Sequence, residues 1–487
     1  MFTQQNIKKS ILDLEQKYPV DTWTVNSIHV WPYIRIKLYI HMLVLMNKKP
    51  LANKLNNKNL KNQIKVIAFL NNIFRVFKAY FSLAIFFSKL KQKQIVFFGS
   101  HMHRVFQNGE YFNRFYDSMV AYHKLQDFVY MVEYQKTYDT TYNKKAVIQL
   151  SKHLKHFKLL SKFTKWFSKE KNRISLNNYD AFYKELKAIN LAATGVSETE
   201  LVAWTQRIKT TNKFYEKFYK KIKPLKVVFL GYYGLDDIYS ALVTANKLHI
   251  KTIDFQHGPQ TNVHLAFSSW SKVPENGFNT MPKEFWNWDK ASKENIDSWS
   301  DKIAQIKSKV VGQPYLAYWI NEIQTKKINR QHIFYSLQTH PFAIQDLLTP
   351  KIITLIKTLD YTWVLRLHPR NNLNIDALHE FLKHHEIENK TIIQDAFNTP
   401  LPEALLSSIL HITNYSGCLI EAYQLGIPTL IINEVGKEMF GQYIGHKLVH
   451  YLGQNDKNFQ EQAEKIINNS KGEDLKTNYS EIFHPLN

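Results

Sequence analysis

Apolar positions change their spacing three times along the chain. Over residues 1–93 they recur at helical intervals, as in Trp31, Ile34, Leu38 and Met42, and again in Phe69, Ile73, Phe77, Tyr80 and Ala84. At Ile95 the pattern shortens to a continuous apolar run, IVFFG, followed by a polar and aromatic loop, SHMHRVFQNGEYFNRFYD, and by a second run, DFVYMVEY (127–134). Residues 145–222 return to helical spacing, with Lys152, Lys155, Lys158, Lys162, Lys165 and Lys169 on one face and Leu154, Phe157, Leu160, Phe163 and Phe167 mostly opposite. From Pro224 strands and helices alternate. LKVVFLG (225–231) and KTIDFQHG (251–258) read as strands, and a second set begins near residue 326. That set comprises INRQHIFYSLQ, a helix from Ile344 to Leu359, YTWVLRLHPR, TIIQD, the helix PLPEALLSS, ILHITNYSG, the helix CLIEAYQLG and PTLIIN.

Alternating strands and helices predict an α/β chain with parallel sheets covered on both faces. Two such runs predict two Rossmann-like domains facing a cleft. The expected divisions are a helical, basic extension over 1–93, an N-terminal domain over 94–288 with the helical insert 145–222, a linker over 289–325, and a C-terminal domain over 326–487. In sheets of this kind ligands bind beyond the carboxyl ends of the strands.

Composition narrows the partners. The 487 residues carry 64 Lys and Arg against 41 Asp and Glu, a formal charge of +23. No acidic residue stands between Asp21 and Glu110, a stretch with 14 Lys and Arg. Such a surplus selects an anionic partner: a nucleic acid, a membrane surface or a phosphorylated substrate. A single cysteine, Cys418, excludes an internal disulfide framework and a Cys-rich zinc module. The most apolar region, 64–87, is interrupted by charge, and its longest uncharged piece, Ala79 to Ser88, is half the roughly 20 residues that span a bilayer. A helix lying in the membrane interface fits the apolar stripe and its flanking lysines; a helix packed on the next domain fits it too. Only three glycines precede residue 231 and the other twelve run from Gly231 onward, so the binding loops are expected in the second half.

Three segments carry candidate chemistry. Gln256-His257-Gly258 ends a strand and puts an imidazole suited to proton transfer at the ligand-binding edge. Arg366-Leu367-His368-Pro369-Arg370 closes another strand, and Arg366, His368 and Arg370 share one parity, a set of cations suited to phosphate. Asn414-Tyr415-Ser416-Gly417 opens a helix in which Glu421 lies one turn on, so Ser416 and Gly417 can meet an anion and Glu421 a ribose or sugar hydroxyl. Asp236 and Asp237 follow a strand and a glycine turn and are candidates for a general base, or they serve the helix start. Glu110 lies in the loop after IVFFG, another rim position. No G-x-G-x-x-G, G-x-S-x-G or H-E-x-x-H pattern occurs, and no metal-ligand cluster is visible, so neither a metal nor a resident cofactor is expected.

Together these segments resemble bacterial GT-B-type glycosyltransferases of surface polysaccharide synthesis, near the capsule enzymes that transfer Kdo or sialic acid and the CDP-glycerol glycerophosphotransferases of teichoic-acid type. The resemblance spans about residues 225–435. It rests on the strand ending in QHG, on Pro282, Phe285, Trp286 and Trp288, on Val311, Gly312 and Pro314, on the His368-Pro369 pair, and on Ser416-Gly417 with Glu421; 23–35 and IVFFGSHMHR echo it more loosely. It implies that the C-terminal domain binds a nucleotide-activated donor, with His368 on a donor phosphate, Ser416 and Gly417 donating to it, and Glu421 on the ribose or sugar. It implies a base in the N-terminal domain: His257 by analogy with the glycerophosphotransferases, Asp236 or Asp237 by analogy with the sialyltransferases. The expected reaction is inverting, metal-independent transfer to a growing polysaccharide or lipid-linked acceptor on the cytoplasmic face of the inner membrane. Two other readings fit parts of the sequence: a nucleotide-sugar 2-epimerase of the same fold, and a non-enzymatic protein that binds nucleic acid or membrane, although no nucleic-acid motif is present.

Overall fold

A computed structural model describes residues 3–46, 65–134, 137–165, 171–323, 330–339, 342–369, 371, 373–445 and 448–470. The first large sheet has seven strands: β1 (Ile95–Gly99), β2 (Val129–Glu133), β3 (Val147–Gln149), β4 (Lys226–Phe229), β5 (Lys251–Phe255), β6 (Glu284–Asn287) and β7 (Lys307–Val310). All pairs are parallel, in the order β3-β2-β1-β4-β5-β6-β7. The second has six: β8 (His332–Ser336), β9 (Thr362–Arg366), β10 (Thr391–Gln394), β11 (Ser408–Thr413), β12 (Thr429–Ile431) and β13 (Val449–Tyr451). It too is wholly parallel, in the order β10-β9-β8-β11-β12-β13. Counted from its own first strand, each sheet begins 3-2-1-4-5-6, the doubly wound order. This is the two-domain, Rossmann-like layout of GT-B type that the sequence predicts.

Central strands are buried on both faces, which is why they read as continuous apolar runs. In β1, Val96 and Phe98 enter one core while Ile95 and Phe97 enter another. The edge strand β7, KSKV, is largely uncovered and has no apolar run. It nevertheless pairs with β6 throughout, so 289–310 continue the first domain as a helix and a strand, correcting the expected linker over 289–325. The expected helix from Ile344 to Leu359 is two, Ile344–Leu347 and Pro350–Thr358, because Pro350 starts a new helix and lacks the N–H to continue an old one. The loop after β1 holds a short antiparallel hairpin, Arg104–Gln107 against Glu110–Asn113. Its turn is Asn108-Gly109, both at positive φ, the pair that tight hairpins favour.

The helices that matter for the site are α1 (Gln4–Lys17), α2 (Trp31–Met46), α3 (Lys65–Lys89), α4 (Leu150–Lys165), α5 (Glu198–Ile222), α6 (Asp236–Lys247), α7 (Lys290–Ser300), α8 (Pro314–Ile323) and α9 (Cys418–Gln424). The first two do not form a detachable extension: their apolar faces share one core with α5, α6 and the first sheet. A buried ion pair locks them there. Arg35 Nε lies 2.7 Å from Glu15 Oε1, and both side chains are fully buried. Glu15 also accepts from Trp31 Nε1 at 2.9 Å and from the Ser271 amide and hydroxyl at 2.9 and 2.6 Å. Arg35 donates to the carbonyls of Leu265, Ser268 and Ser269 and stacks on Trp270, 4.1 Å from its ring centre. The pair therefore fixes the segment that follows Gln256-His257-Gly258.

Removing one partner of a buried pair strands the other charge without water. Arg35→Met is expected to cost about 3–5 kcal/mol in urea unfolding, with Arg35→Met/Glu15→Gln recovering part of the loss. A loss below about 1 kcal/mol, in the range of a surface pair, would contradict this role.

Candidate active site

The carboxyl ends of the two sheets meet. Gly417, in the loop after β11, lies so close to Pro259, in the loop after β5, that a Cβ at 417 would fall 2.9 Å from the proline ring. Around this contact Gln424 Nε2 donates to the Trp288 carbonyl at 3.2 Å, Tyr443 to Asp289 at 2.6 Å and Gln442 to the Ala291 carbonyl at 3.0 Å. Both switch points of strand order, β1/β4 and β8/β11, open toward this junction, where doubly wound sheets bind ligands.

Gln256 is buried and acts as a brace. It donates to the Ser292 hydroxyl at 3.0 Å and the Gly258 carbonyl at 3.1 Å, and accepts from the Trp288 amide at 2.7 Å. This explains in one geometry why QHG and Trp288 belong together. His257 then lies over Gly231 at the end of β4; a Cβ there would be 3.0 Å from Cε1 of the imidazole, and Gly231 has a φ of +79°. Burial, reinforced by Arg114, pushes His257 down to about 4, so the ring is neutral and able to accept a proton at pH 7. His103 packs beside it, with ring centres 5.9 Å apart, and is also held well below its ordinary value, mainly by burial.

Arg114 was not singled out in the sequence, and no local pattern marks it. It follows the hairpin, its amide donates to the His103 carbonyl at 3.2 Å, and its guanidinium lies 4.9 Å from the Phe115 ring centre. Its charge reaches across the junction. It lowers His103 and His257 on one side and acts on Tyr315, Arg366, Cys418 and Glu421 on the other. No carboxylate pairs with it among the described residues, so it is a cation facing a cleft.

Glu421 is buried on α9 and accepts from Gln313 Nε2 at 3.1 Å. Burial raises its pKa, against the opposing pull of Arg114, Gln313 and Arg366. Arg366 is buried as well, but its guanidinium is engaged: it donates to Gln394 Oε1 at 2.7 Å and to the Thr399 and Ala396 carbonyls at 2.7 and 3.2 Å. It braces the loop after β10 and adds its charge from there. His368 is partly buried just past the end of β9. Arg370 lies outside the described residues. The Ser416 hydroxyl accepts from the Cys418 amide at 3.3 Å, and its own amide donates to Thr413 Oγ1 at 2.8 Å. Burial pushes the Cys418 thiol up to about 11, so it stays protonated at neutral pH.

The remaining sequence candidates stand apart from this group. Asp236 pairs with Arg207 of α5 at 2.6 Å and Asp237 with Lys158 of α4 at 2.7 Å, so both anchor α6 to the helical insert. The residue capping that helix is Leu235, without a side-chain bond. Glu110 is exposed at the tip of the hairpin, opposite Gln107. A carboxyl that sequence reading passed over is Asp254, fully buried in β5 against the backbone N–H groups of Gly231 and Tyr232, with neither oxygen in a hydrogen bond of ordinary geometry. Burial raises its pKa well above the carboxylate range, and the acid form is the one the apolar strand can hold. The signal for it was an aspartate inside an otherwise buried run, KTIDF.

Beside the junction a cavity of about 390 Å³ is walled by Tyr39, Leu43, Tyr233, His264, Phe342 and Tyr415, so α2 and both sheets contribute. Thr261, also in the lining, is buried with no partner for its hydroxyl among the described residues.

No family model matches the chain, and no curated protein matches it either. Solved structures do align with it. One is UDP-GlcNAc 2-epimerase from Neisseria meningitidis bound to UDP-GlcNAc, with 14% identity over 81% of this chain and 96% of that one and a TM-score of 0.44. Another is a putative UDP-N-acetylglucosamine 2-epimerase from Listeria monocytogenes, with 13% identity over 80% and 91% and a TM-score of 0.44. A third is sucrose-phosphate synthase from Thermosynechococcus elongatus, with 10% identity over 78% and 90% and a TM-score of 0.40.

Proposed function

We propose that this chain is a glycosyltransferase that moves a sugar, or a polyol phosphate, from a nucleotide-activated donor to a growing surface polysaccharide or a lipid-linked acceptor. The observation that carries the reading is the junction itself: a neutral imidazole on one sheet, Arg114 between, and a small-residue loop with a buried carboxylate on the other. In this scheme the donor phosphates lie between Arg114, His368 and the Ser416-Gly417 loop. Glu421 accepts hydrogen bonds from ribose or sugar hydroxyls, and the acceptor enters over the aromatic cavity lined by Tyr39 and Tyr233.

The chemistry follows from the charges. The acceptor oxygen attacks the donor carbon, or the phosphorus of a polyol-phosphate donor. Its proton passes to His257, and the bond to the nucleotide breaks with its electron pair on the departing phosphate. Fixed cations stabilise that phosphate, a task other enzymes give to a metal ion, and attack opposite the leaving group inverts the reacting centre. A pKa near 4 makes His257 a weak base in the free protein. Burial accounts for most of that depression and Arg114 for a smaller part; donor phosphates placed against Arg114 offset the Arg114 part, so binding the donor raises the basicity of the imidazole.

The acceptor side includes a membrane. On α3, Ala79, Leu83, Phe86 and Phe87 are buried against the insert, yet Phe74, Phe77, Tyr80, Phe81 and Ile85 are 54–70% exposed. Arg75, Lys78 and Lys89 on the same helix are exposed as well, with Lys152, Lys155 and Lys162 on the neighbouring α4. An aromatic face rimmed by cations suits an anionic membrane interface. Among the described residues no helix is long and apolar enough to cross a membrane.

His257→Asn is expected to cut acceptor-dependent transfer from a panel of nucleotide sugars by about 10²–10⁴-fold. In the wild type the acid limb of kcat should lie at higher pH than that of kcat/KM, because the first reports the donor-bound imidazole. Undiminished turnover in the variant would place the base elsewhere, and conversion of the free nucleotide sugar without acceptor would favour the epimerase reading. For the membrane, Phe77→Ser/Phe81→Ser should reduce co-sedimentation with anionic vesicles several-fold; an unchanged partition contradicts the interfacial face.

A further inference from the structure

Arg114 acts on groups of both sheets, and its backbone is pinned on both sides. Its amide donates to the His103 carbonyl at 3.2 Å, and its carbonyl accepts from the Ser118 hydroxyl at 2.7 Å. The residues around it are bound just as closely. Asn113 Oδ1 accepts from the amides of Phe115 and Tyr116 at 3.0 and 3.1 Å, and Asp117 Oδ2 accepts from the Asn113 amide at 2.6 Å. The Tyr116 hydroxyl lies 2.7 Å from the Phe98 carbonyl of β1 and 3.3 Å from the Val228 carbonyl of β4, so it ties the turn to the two strands of the switch point. Gly99 permits that approach: a Cβ there would lie 3.1 Å from the Tyr116 ring.

Asp117 is itself held by a buried charge. Arg104, in the hairpin, donates through Nη1 to Asp117 Oδ2 and to the Tyr111 carbonyl, both at 2.9 Å, and through Nε to Glu133 Oε1 at the end of β2. All three charged side chains are buried. Two carboxylates on one guanidinium leave a surplus negative charge away from water. Burial pushes Asp117 up to about 7, against the pull of Arg104 and the Asn113 amide, and Glu133 adds to the rise. The charged groups that face Asp117 are thus Arg104 from the hairpin and Glu133 from β2, and Tyr138 faces those two in turn. This network bonds the backbone of Arg114 and leaves its guanidinium on the Phe115 ring, facing the cleft. A cation fixed in this way is ordered on folding rather than on binding.

We propose that Asn113 and Asp117 are positioning residues, which hold Arg114 where it meets a phosphate of the donor. This role rests on the reading of the junction as a donor site. Asp117 fills it in its ionised form, because a carboxylate is the stronger acceptor for the Asn113 amide and for Arg104.

The test is calorimetric binding by the full chain at pH 8 and at pH 6. The probes are UDP-glucose, GDP-mannose, dTDP-glucose, CDP-glycerol and CMP-N-acetylneuraminate, whose phosphodiester groups keep their charge over that range. Wild type should bind at least one of them at pH 8, and Arg114→Ala should lose that binding. Asp117→Asn should weaken it about ten-fold at pH 8, the size of one hydrogen bond to a charged group. Removing a negative charge near a phosphate would by itself tighten binding, so weaker binding reports position rather than field. At pH 6 the gap between wild type and Asp117→Asn should narrow, because Asp117 is then mostly protonated; a general loss of fold would persist at both values. Asn113→Ala should weaken binding too, and Asn113→Ser, whose hydroxyl can accept from the same amides, should recover part of it. These two carry the test if Asp117→Asn does not fold. Glu133→Gln, which touches Arg104 but not the turn, should bind at pH 8 much as wild type does. Wild-type or tighter affinity in Asp117→Asn and Asn113→Ala at pH 8, or an equal loss in Glu133→Gln, overturns the positioning role and leaves the donor reading in place. Binding of none of the five by wild type, or undiminished binding by Arg114→Ala, contradicts the donor reading and the positioning role with it.

Discussion

Arg35 carries its guanidinium into an interior that offers it one carboxylate, Glu15, three carbonyls and the face of Trp270. A charge so placed is tolerable only if each of these partners stays put. The partners come from α1 and from the segment 265–271, far apart in sequence, and that segment continues directly from His257 and Pro259. The helices at the start of the chain are thus part of the machinery that shapes the cleft. A second constraint acts in series: Gln256 ties the turn to Trp288 and Ser292, so the histidine is held from both sides.

The rest of the site follows from sheet order. Two sheets wound 3-2-1-4-5-6 each create one crevice at their carboxyl edge, and the Gly417–Pro259 contact turns the two crevices toward each other. Into that space the hairpin after β1 brings Arg114, which shifts groups on both sheets. If the donor binds as proposed, this one cation couples its phosphates on one side to the basicity of an imidazole on the other.

Much of this was legible beforehand, for a physical reason. Strands buried on both faces, such as IVFFG and KVVF, leave continuous apolar runs, and QHG and SG end their elements where the chain must turn. Edge strands leave no such trace. KSKV pairs with β6 because the preceding elements bring it there, so the stretch read as linker is part of a sheet. Asp236 and Asp237 look like rim carboxylates in one dimension, and only the packing of the insert reveals Arg207 and Lys158 as their partners. Arg114 and Asp254 were hidden for opposite reasons: one is an ordinary loop arginine until two domains close around it, and the other an acid in a strand whose apolar neighbours mask it.

The strong positive charge resolves into separate surfaces: the exposed faces of α3 and α4, and the few cations of the cleft. The cleft is the one on which the account turns. Thermal unfolding with CMP, CDP, UDP, GDP and dTDP, on wild type and on Arg114→Ala, tests it most directly, since a ligand of the folded state raises its melting temperature. The account predicts that at least one nucleotide stabilises the wild type and that the shift is largely lost in the variant. No stabilisation by any of the five, or an equal shift in both proteins, would contradict it.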